Sequence, residues 1–573
     1  MILRDYIKVA RGNQAADLIL TNAQVINVFT GCVEVGSIVI HNGLIAGIGD
    51  YTQATEVIDV AGSYVAPGLI DGHVHPESSM LDVGQYARAV VPRGTLGVVT
   101  DLHEIANVVG IRGMQYVRDF ARRLPIDFFF LAPSCIPATH FETSGASFGL
   151  EELRKVLRWK DCLGLGEMMN YPGVIHGNPE ALSKLELAQD RIIDGHAPGV
   201  TGKDLAAYVA AGVHSDHESV TLSEAEEKLR QGMWLMIREA SSAKNLKTLL
   251  PLVSDSTYKR CMLVVDDRSC VDLLHDGDLD AVVRKAISLG LDPVRAIQLA
   301  TINPAEYFRL NRLGAVAPGY FANLIVLHDL TTFRVDMVFY RGRLVAKDRQ
   351  PMFSVAPINK TDVVDSVRIK PFDHEALKLR VVGETEPVIE LVPNQIITRR
   401  GEYHPRDSDG SIHPNVEADI LKMAVVERHK ETGNIGLGLI KGFGLKRGAV
   451  ASSIAHDSHN IVAVGTNDED IYGAIKEIER LGGGLAVTDQ GKVLASLALP
   501  IAGLLSDEPL ELVVEKLESL EEKVKRLGSL LPSPLATLSF LALPVIPELK
   551  LTDLGLVDVR HFKLIERSEE PKY

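Results

Sequence analysis

The apolar run Ala66-Pro67-Gly68-Leu69-Ile70-Asp71-Gly72 ends in His73-Val74-His75. Side chains at i and i+2 of a strand share a face. His73 and His75 can therefore aim two imidazoles at one point, as a metal ion requires. Similar endings recur along the chain. Glu167 closes Cys162-Leu163-Gly164-Leu165-Gly166, and His196 closes Ile192-Ile193-Asp194-Gly195. His217 follows Gly212-Val213-His214-Ser215-Asp216, and Asp266 follows Met262-Leu263-Val264-Val265. Histidine and carboxylate without thiolate suit Zn²⁺, Fe²⁺ or Mn²⁺. A carboxylate can bridge two ions, and two ions sharing a hydroxide make it a nucleophile near neutral pH. Glycines before Glu167 leave its side chain room to enter such a site. His214 competes with His217, and Asp267 with Asp266; spacing leaves both choices open. His103-Glu104 ends a further run and is read as support for the ligands, an extra metal site or a substrate contact.

These residues need a scaffold that brings strand ends together. Eight apolar runs with polar ends alternate with helical stretches between residues 65 and 305. That pattern predicts a (β/α)₈ barrel with its site at the C-terminal strand ends. Ordinary helix caps would be Ser, Thr, Asn or Asp, rarely His. Residues 1–64 and 306–356 read as β, with Asn42-Gly43 as a hairpin turn. They predict a small β-sandwich domain split by the barrel. Residues 357–573 predict an additional C-terminal α/β domain. It holds a strand at Ile461–Gly465, a helix near Asp468–Arg480 and a charged helix near Glu508–Arg526. The uncharged run Leu527–Pro547 contains Pro532, Pro534, Pro544 and Pro547, so we expect core strands and loops there rather than a membrane span.

Composition narrows the partners. With 60 basic and 75 acidic side chains in 573 residues, the formal charge is −15, which argues against nucleic acid. Cys32, Cys135, Cys162, Cys261 and Cys270 are scattered, and none forms C-x-x-C. Buried thiols in a reducing cytoplasm are expected rather than a disulfide frame. The N-terminus has no signal-peptide apolar region, and no membrane partner is expected.

With these motifs in hand, the chain resembles the amidohydrolase superfamily and, within it, the adenine deaminases. The stretch Pro67 to His75 with Glu77-Ser78-Ser79 looks like the first family motif. His103-Glu104-Ile105-Ala106-Asn107-Val108, Pro133-Ser134-Cys135-Ile136-Pro137-Ala138-Thr139 and Glu142-Thr143-Ser144-Gly145-Ala146 also match, as do Gly166-Glu167-Met168-Met169-Asn170 and His196-Ala197-Pro198-Gly199. So do Ser215-Asp216-His217-Glu218, Asp266-Asp267-Arg268 and the tail motif Ala451 to Asn460. Pro76 and Leu102 depart from the familiar pattern. Strand four offers Glu167 where many superfamily members carry a carboxylated lysine.

The resemblance implies hydrolytic deamination of adenine to hypoxanthine and ammonia, in purine salvage. It implies two divalent transition-metal ions, Mn²⁺ or Fe²⁺, with Zn²⁺ as a third candidate. His73, His75, Glu167, His196, His217 and Asp266 are the implied ligands. A metal-bound hydroxide would attack C6, and Asp266 would move its proton towards the leaving amine. Glu218 would protonate a ring nitrogen or hold it by hydrogen bond, which for a proton donor needs a raised pKa. Otherwise it is a solvated or ligand-supporting carboxylate. Arg268 would contact substrate or pair with an acid. His456 and His459 would close the site over the base, hold a further metal, or serve structure alone. A homo-oligomer, a dimer, is expected. The competing readings are a cyclic-amide hydrolase acting on a dihydropyrimidine or hydantoin and, last, a non-enzymatic scaffold. A zinc deaminase of the unrelated small fold is set aside, because no P-C-x-x-C accompanies His75-Pro76-Glu77.

Overall fold

The computed structural model describes residues 3–381, 383–393, 395–405 and 410–565. Eight short parallel strands carry the polar endings: β1 (Leu69–Asp71), β2 (Thr95–Thr100), β3 (Asp127–Ala132), β4 (Cys162–Met168), β5 (Ile192–Gly195), β6 (Ser215–Asp216), β7 (Trp234–Arg238) and β8 (Cys261–Val264). Strands β1 to β5 pair in sequence order, and β6 to β8 form a second parallel set. The ring is tied at both seams. Gly195 N–H donates to Ser215 Oγ at 3.1 Å across β5 and β6. Across β8 and β1, Asp266 N–H donates to the His73 carbonyl at 3.0 Å. His75 N–H returns a bond to the Asp266 carbonyl at 3.2 Å.

Ile70, Val99, Leu131, Ile192, Met236 and Met262 pack as one cluster drawn from β1, β2, β3, β5, β7 and β8. The polar strand ends lie above this apolar filling. Glycine is required where strands converge. A Cβ at Gly164 would lie 1.9 Å from the Ile192 carbonyl oxygen, and one at Gly195 would lie 2.1 Å from that of Ser215.

Strands from both flanks share one nine-stranded sheet rather than two separate ones. Strand Ala16–Asn27 bulges between Leu20 and Ala23. Its first half pairs with Ala54–Asp59 and its second with Tyr64–Pro67, so one sheet turns a corner. Tyr64–Pro67 then pairs antiparallel with Leu324–Leu327, which joins the halves on either side of the barrel.

The C-terminal region builds an eight-stranded sheet from residues 386–498, covered by the helices Asp468–Leu481 and Leu510–Arg526. Asn467 caps the first helix by accepting from Asp470 N–H, and Gly482 ends it at φ 72°. The second helix buries Leu510, Val513, Val514, Leu517, Leu520 and Val524 and turns its charges outward. Strands do not form in Leu527–Pro547. Pro534 instead sits at the first turn of a short helix, Pro534–Ser539, a position that tolerates its missing N–H. Among the described residues no helix is long and apolar enough to cross a membrane. The C-terminal region rests on the barrel mouth: Ser506 exchanges backbone hydrogen bonds with Met80 and Asp82 at 2.8 Å each.

Candidate metal centre

His73 and His75 leave the end of β1 with their Nε2 atoms 3.2 Å apart. Asp266, just past β8, has its Oδ1 3.6 Å from His73 Nε2 and 3.4 Å from His75 Nε2. Asp266 adopts φ 62°, in the left-handed region that non-glycine residues seldom enter. The seam hydrogen bonds on either side hold that conformation and turn the carboxylate inward.

Glu167 occupies the middle. Its Oε1 is 3.4 Å from His75 Nε2. Its Oε2 is 2.7 Å from His196 Nδ1 and 3.3 Å from His217 Nε2. One carboxylate thus faces two groups of imidazoles, one with each oxygen. The preceding Gly166 is needed, because a Cβ there would lie 2.6 Å from Asp101 Cβ. His73, His75, Glu167, His217 and Asp266 are buried, and His196 is partly so. Histidine 214 is exposed, so the strand-six position falls to His217. Asp267 turns away and accepts from Ser78 Oγ.

The electrostatics ask for a cation. Burial alone would push the Glu167 carboxyl up, but hydrogen bonds from His196 and His217 hold it well below the usual carboxylate range. Burial likewise opposes ionisation of Asp266, and His75 and Arg238 overcome it. Burial lowers the His217 pKa, yet Glu167, Asp266 and Glu218 raise it to about 9. The acids draw positive charge onto the imidazoles, and a divalent cation supplies that charge in place of protons. The donor set therefore fits metal ions of the His/carboxylate class.

Glu218 stands beside the cluster, its Oε1 3.6 Å from His217 Nε2 and 3.9 Å from His196 Nδ1. Both its oxygens accept from Arg238, which also reaches Asp266 Oδ2 at 2.9 Å. Glu218 is thus half of a forked ion pair with Arg238. Arg238 ends β7 and Asp101 follows β2; neither stood out in the sequence as a site residue. Asp101 Oδ1 lies 2.9 Å from His103 Nδ1 and 3.6 Å from His75 Nδ1, where it can orient both rings. Arg268 does not reach the cluster. It donates to the carbonyls of Gly277 and Glu239 at 2.9 and 3.2 Å.

His103 and Glu104 open a second group. His103 Nε2 is 3.4 Å from Glu104 Oε1. Glu104 Oε1 is 2.7 Å from His456 Nδ1, and its Oε2 meets His459 Nε2. Two histidines of the C-terminal region thus close on a barrel carboxylate. His456 also stacks on Phe540, with centroids 4.5 Å apart. This group borders a cavity of about 390 Å³ between the barrel mouth and the C-terminal region.

A buried cation fixes the ends of β5 and β6. Lys228 Nζ donates to the Ala197 carbonyl at 2.6 Å, Asp216 Oδ2 at 2.9 Å and Glu224 Oε1 at 2.8 Å. Asp216 Oδ1 accepts from Ala197 N–H at 2.9 Å, so the network aligns His196 with His217. Burial opposes the Asp216 charge, but Lys228 and His217 hold its carboxyl below the usual range. Lys228→Met should cost about 3–5 kcal/mol, since it strands two buried acids. The depressed Asp216 pKa contributes stability that is present above about pH 4 and lost as pH falls further. Without Lys228 that acid-side loss should flatten. Urea unfolding at pH 7 and below pH 4 checks both; a wild-type-like pair of curves contradicts the assignment.

A barrel with histidines and carboxylates gathered at its strand ends defines a metal-dependent hydrolase, and the model of the amidohydrolase family matches residues 64–345. The model of the adenine deaminase C-terminal domain matches residues 395–563. An adenine deaminase of Dehalococcoides mccartyi is 58% identical over 563 residues, covering 98% of this chain and 99% of the relative. Adenine deaminase 2 of Carboxydothermus hydrogenoformans is 49% identical over 564 residues, and the adenine deaminase of Methanothrix thermoacetophila is 48% identical over 566. Each of these two alignments covers 98% of this chain and 99% of the relative. The chain belongs to the adenine deaminase family of amidohydrolases. Membership implies divalent metal ions.

Proposed function

We propose that this chain hydrolyses adenine to hypoxanthine and ammonia at the Glu167 centre. The observation that carries the reading is the Glu167 carboxylate shared between two imidazole groups. In this reading His73, His75 and Asp266 would hold one divalent ion and His196 and His217 the other, with the Glu167 carboxylate between the two groups. Ligands of this type without thiolate suit Zn²⁺, Fe²⁺ or Mn²⁺, and the family resemblance puts Mn²⁺ or Fe²⁺ first. When bound, the ions supply Lewis acidity and make a water molecule acidic near neutral pH.

Asp266 takes a proton from the attacking water and passes it to the departing amine. Its Oδ1 faces the two histidines and its Oδ2 is fixed by Arg238, so the carboxylate is oriented for both transfers. Glu218, with both oxygens engaged by Arg238, suits the holding role of the two expected for it. It accepts the N–H of the ring nitrogen as hypoxanthine forms; that proton is the second one of the attacking water, the first leaving with the ammonia. Glu104, His456 and His459 form a second carboxylate–histidine group that suits a further cation and fastens the C-terminal region over the mouth. Ring opening of a dihydropyrimidine or hydantoin is the alternative; Glu167 and the full-length relatives weigh against it. Ammonia release from adenine by metal-loaded protein tests the reading, and hydrolysis of the cyclic amides alone would assign the alternative.

A further inference from the structure

The cavity at the barrel mouth is lined by both polar and apolar side chains. Ile454, Leu485, Leu504, Leu517, Leu535 and Phe540 supply apolar walls of the kind that take the faces of a flat heterocycle. Most of the acids lining it are occupied. Glu104 is taken by His456 and His459, Asp267 by Ser78, and Asp272 by Ser241. Glu77 differs. It lies two residues beyond His75 in the short turn Pro76–Ser79 and is 5% exposed. Its Oε1 takes a long bond, 3.4 Å, from Ile105 N–H, and its Oε2 has no partner. An unpartnered carboxylate oxygen on a residue that lines a cavity calls for a donor from whatever fills it. The imidazole ring of adenine carries one N–H, and a nucleoside has lost it to the sugar.

We propose that Glu77 accepts the imidazole-ring N–H of the purine and so selects the free base over N9-substituted purines. This rests on the adenine reading above. The Gly72–Ser79 segment then has two duties: His73 and His75 serve the reacting end, and Glu77 reads the far edge of the base.

The test compares adenine with 9-methyladenine on metal-loaded wild type, Glu77→Ala and Glu77→Gln. Losing an acceptor of this kind should raise KM for adenine about 10- to 100-fold in Glu77→Ala, with kcat within a few-fold. The alanine variant offers neither the acceptor nor its bulk, so discrimination against 9-methyladenine should fall at least ~10-fold. Glu77→Gln keeps the packing should alanine misfold, and it should show a smaller shift in the same direction. Metal content should stay at the wild-type value in both variants. An unmoved discrimination ratio, or loss of metal with Glu77, overturns the proposal. Failure of wild type to deaminate adenine would instead sink the adenine reading itself.

Discussion

Glu167→Gln should lose both metal and turnover. The substitution keeps size and shape and removes one negative charge. Glu167 Oε1 faces His75 while Oε2 faces His196 and His217. A neutral amide has one good acceptor atom, so it cannot serve both groups. Bound metal should drop from two equivalents to one or fewer, and kcat/KM should fall by about 10³-fold or more. Elemental analysis and ammonia release on the same preparation check this. The fold should survive, because the barrel core lies below the polar layer. Full activity with two metals would remove Glu167 from the centre.

Asp266→Asn should separate proton transfer from metal binding. The asparagine has one acceptor oxygen, which can face the two histidines only by giving up the bond from Arg238, and it cannot take a proton. Loss of a positioned general base costs about 10²- to 10⁴-fold in kcat. KM should change little, and most of the metal should remain because the imidazoles are untouched. A purine with a leaving group that needs no proton, such as 6-chloropurine, should suffer about tenfold less than adenine. Equal losses on both substrates would place Asp266 among the ligands only.

Much of this site was legible because strand chemistry is local. The His73/His75 pair follows from the two-residue period of a strand, and the other candidate ligands follow from where apolar runs stop. Glycine before Glu167 was read as making room, and the structure gives the reason in the approach of Asp101. What the sequence could not display were pairings between distant segments. Nothing near His456 or His459 points to Glu104, some 350 residues earlier. Arg238 and Asp101 also stand at strand ends. They passed unnoticed because Arg and Asp there look like ordinary solvated or capping residues. Arg238 matters most, since it engages both oxygens of Glu218. The Leu527–Pro547 stretch misled for a related reason: prolines excluded a membrane span but did not reveal that Pro534 begins a helix.

Titration of Mn²⁺ or Fe²⁺ into chelator-treated protein, read by ammonia release from adenine, tests the whole account most directly. Activity should rise with added metal and level off at two equivalents tied to the Glu167 centre, with hypoxanthine formed one-for-one with ammonia. Metal-replete protein that leaves adenine intact, or that is fully active with no metal bound, would contradict it.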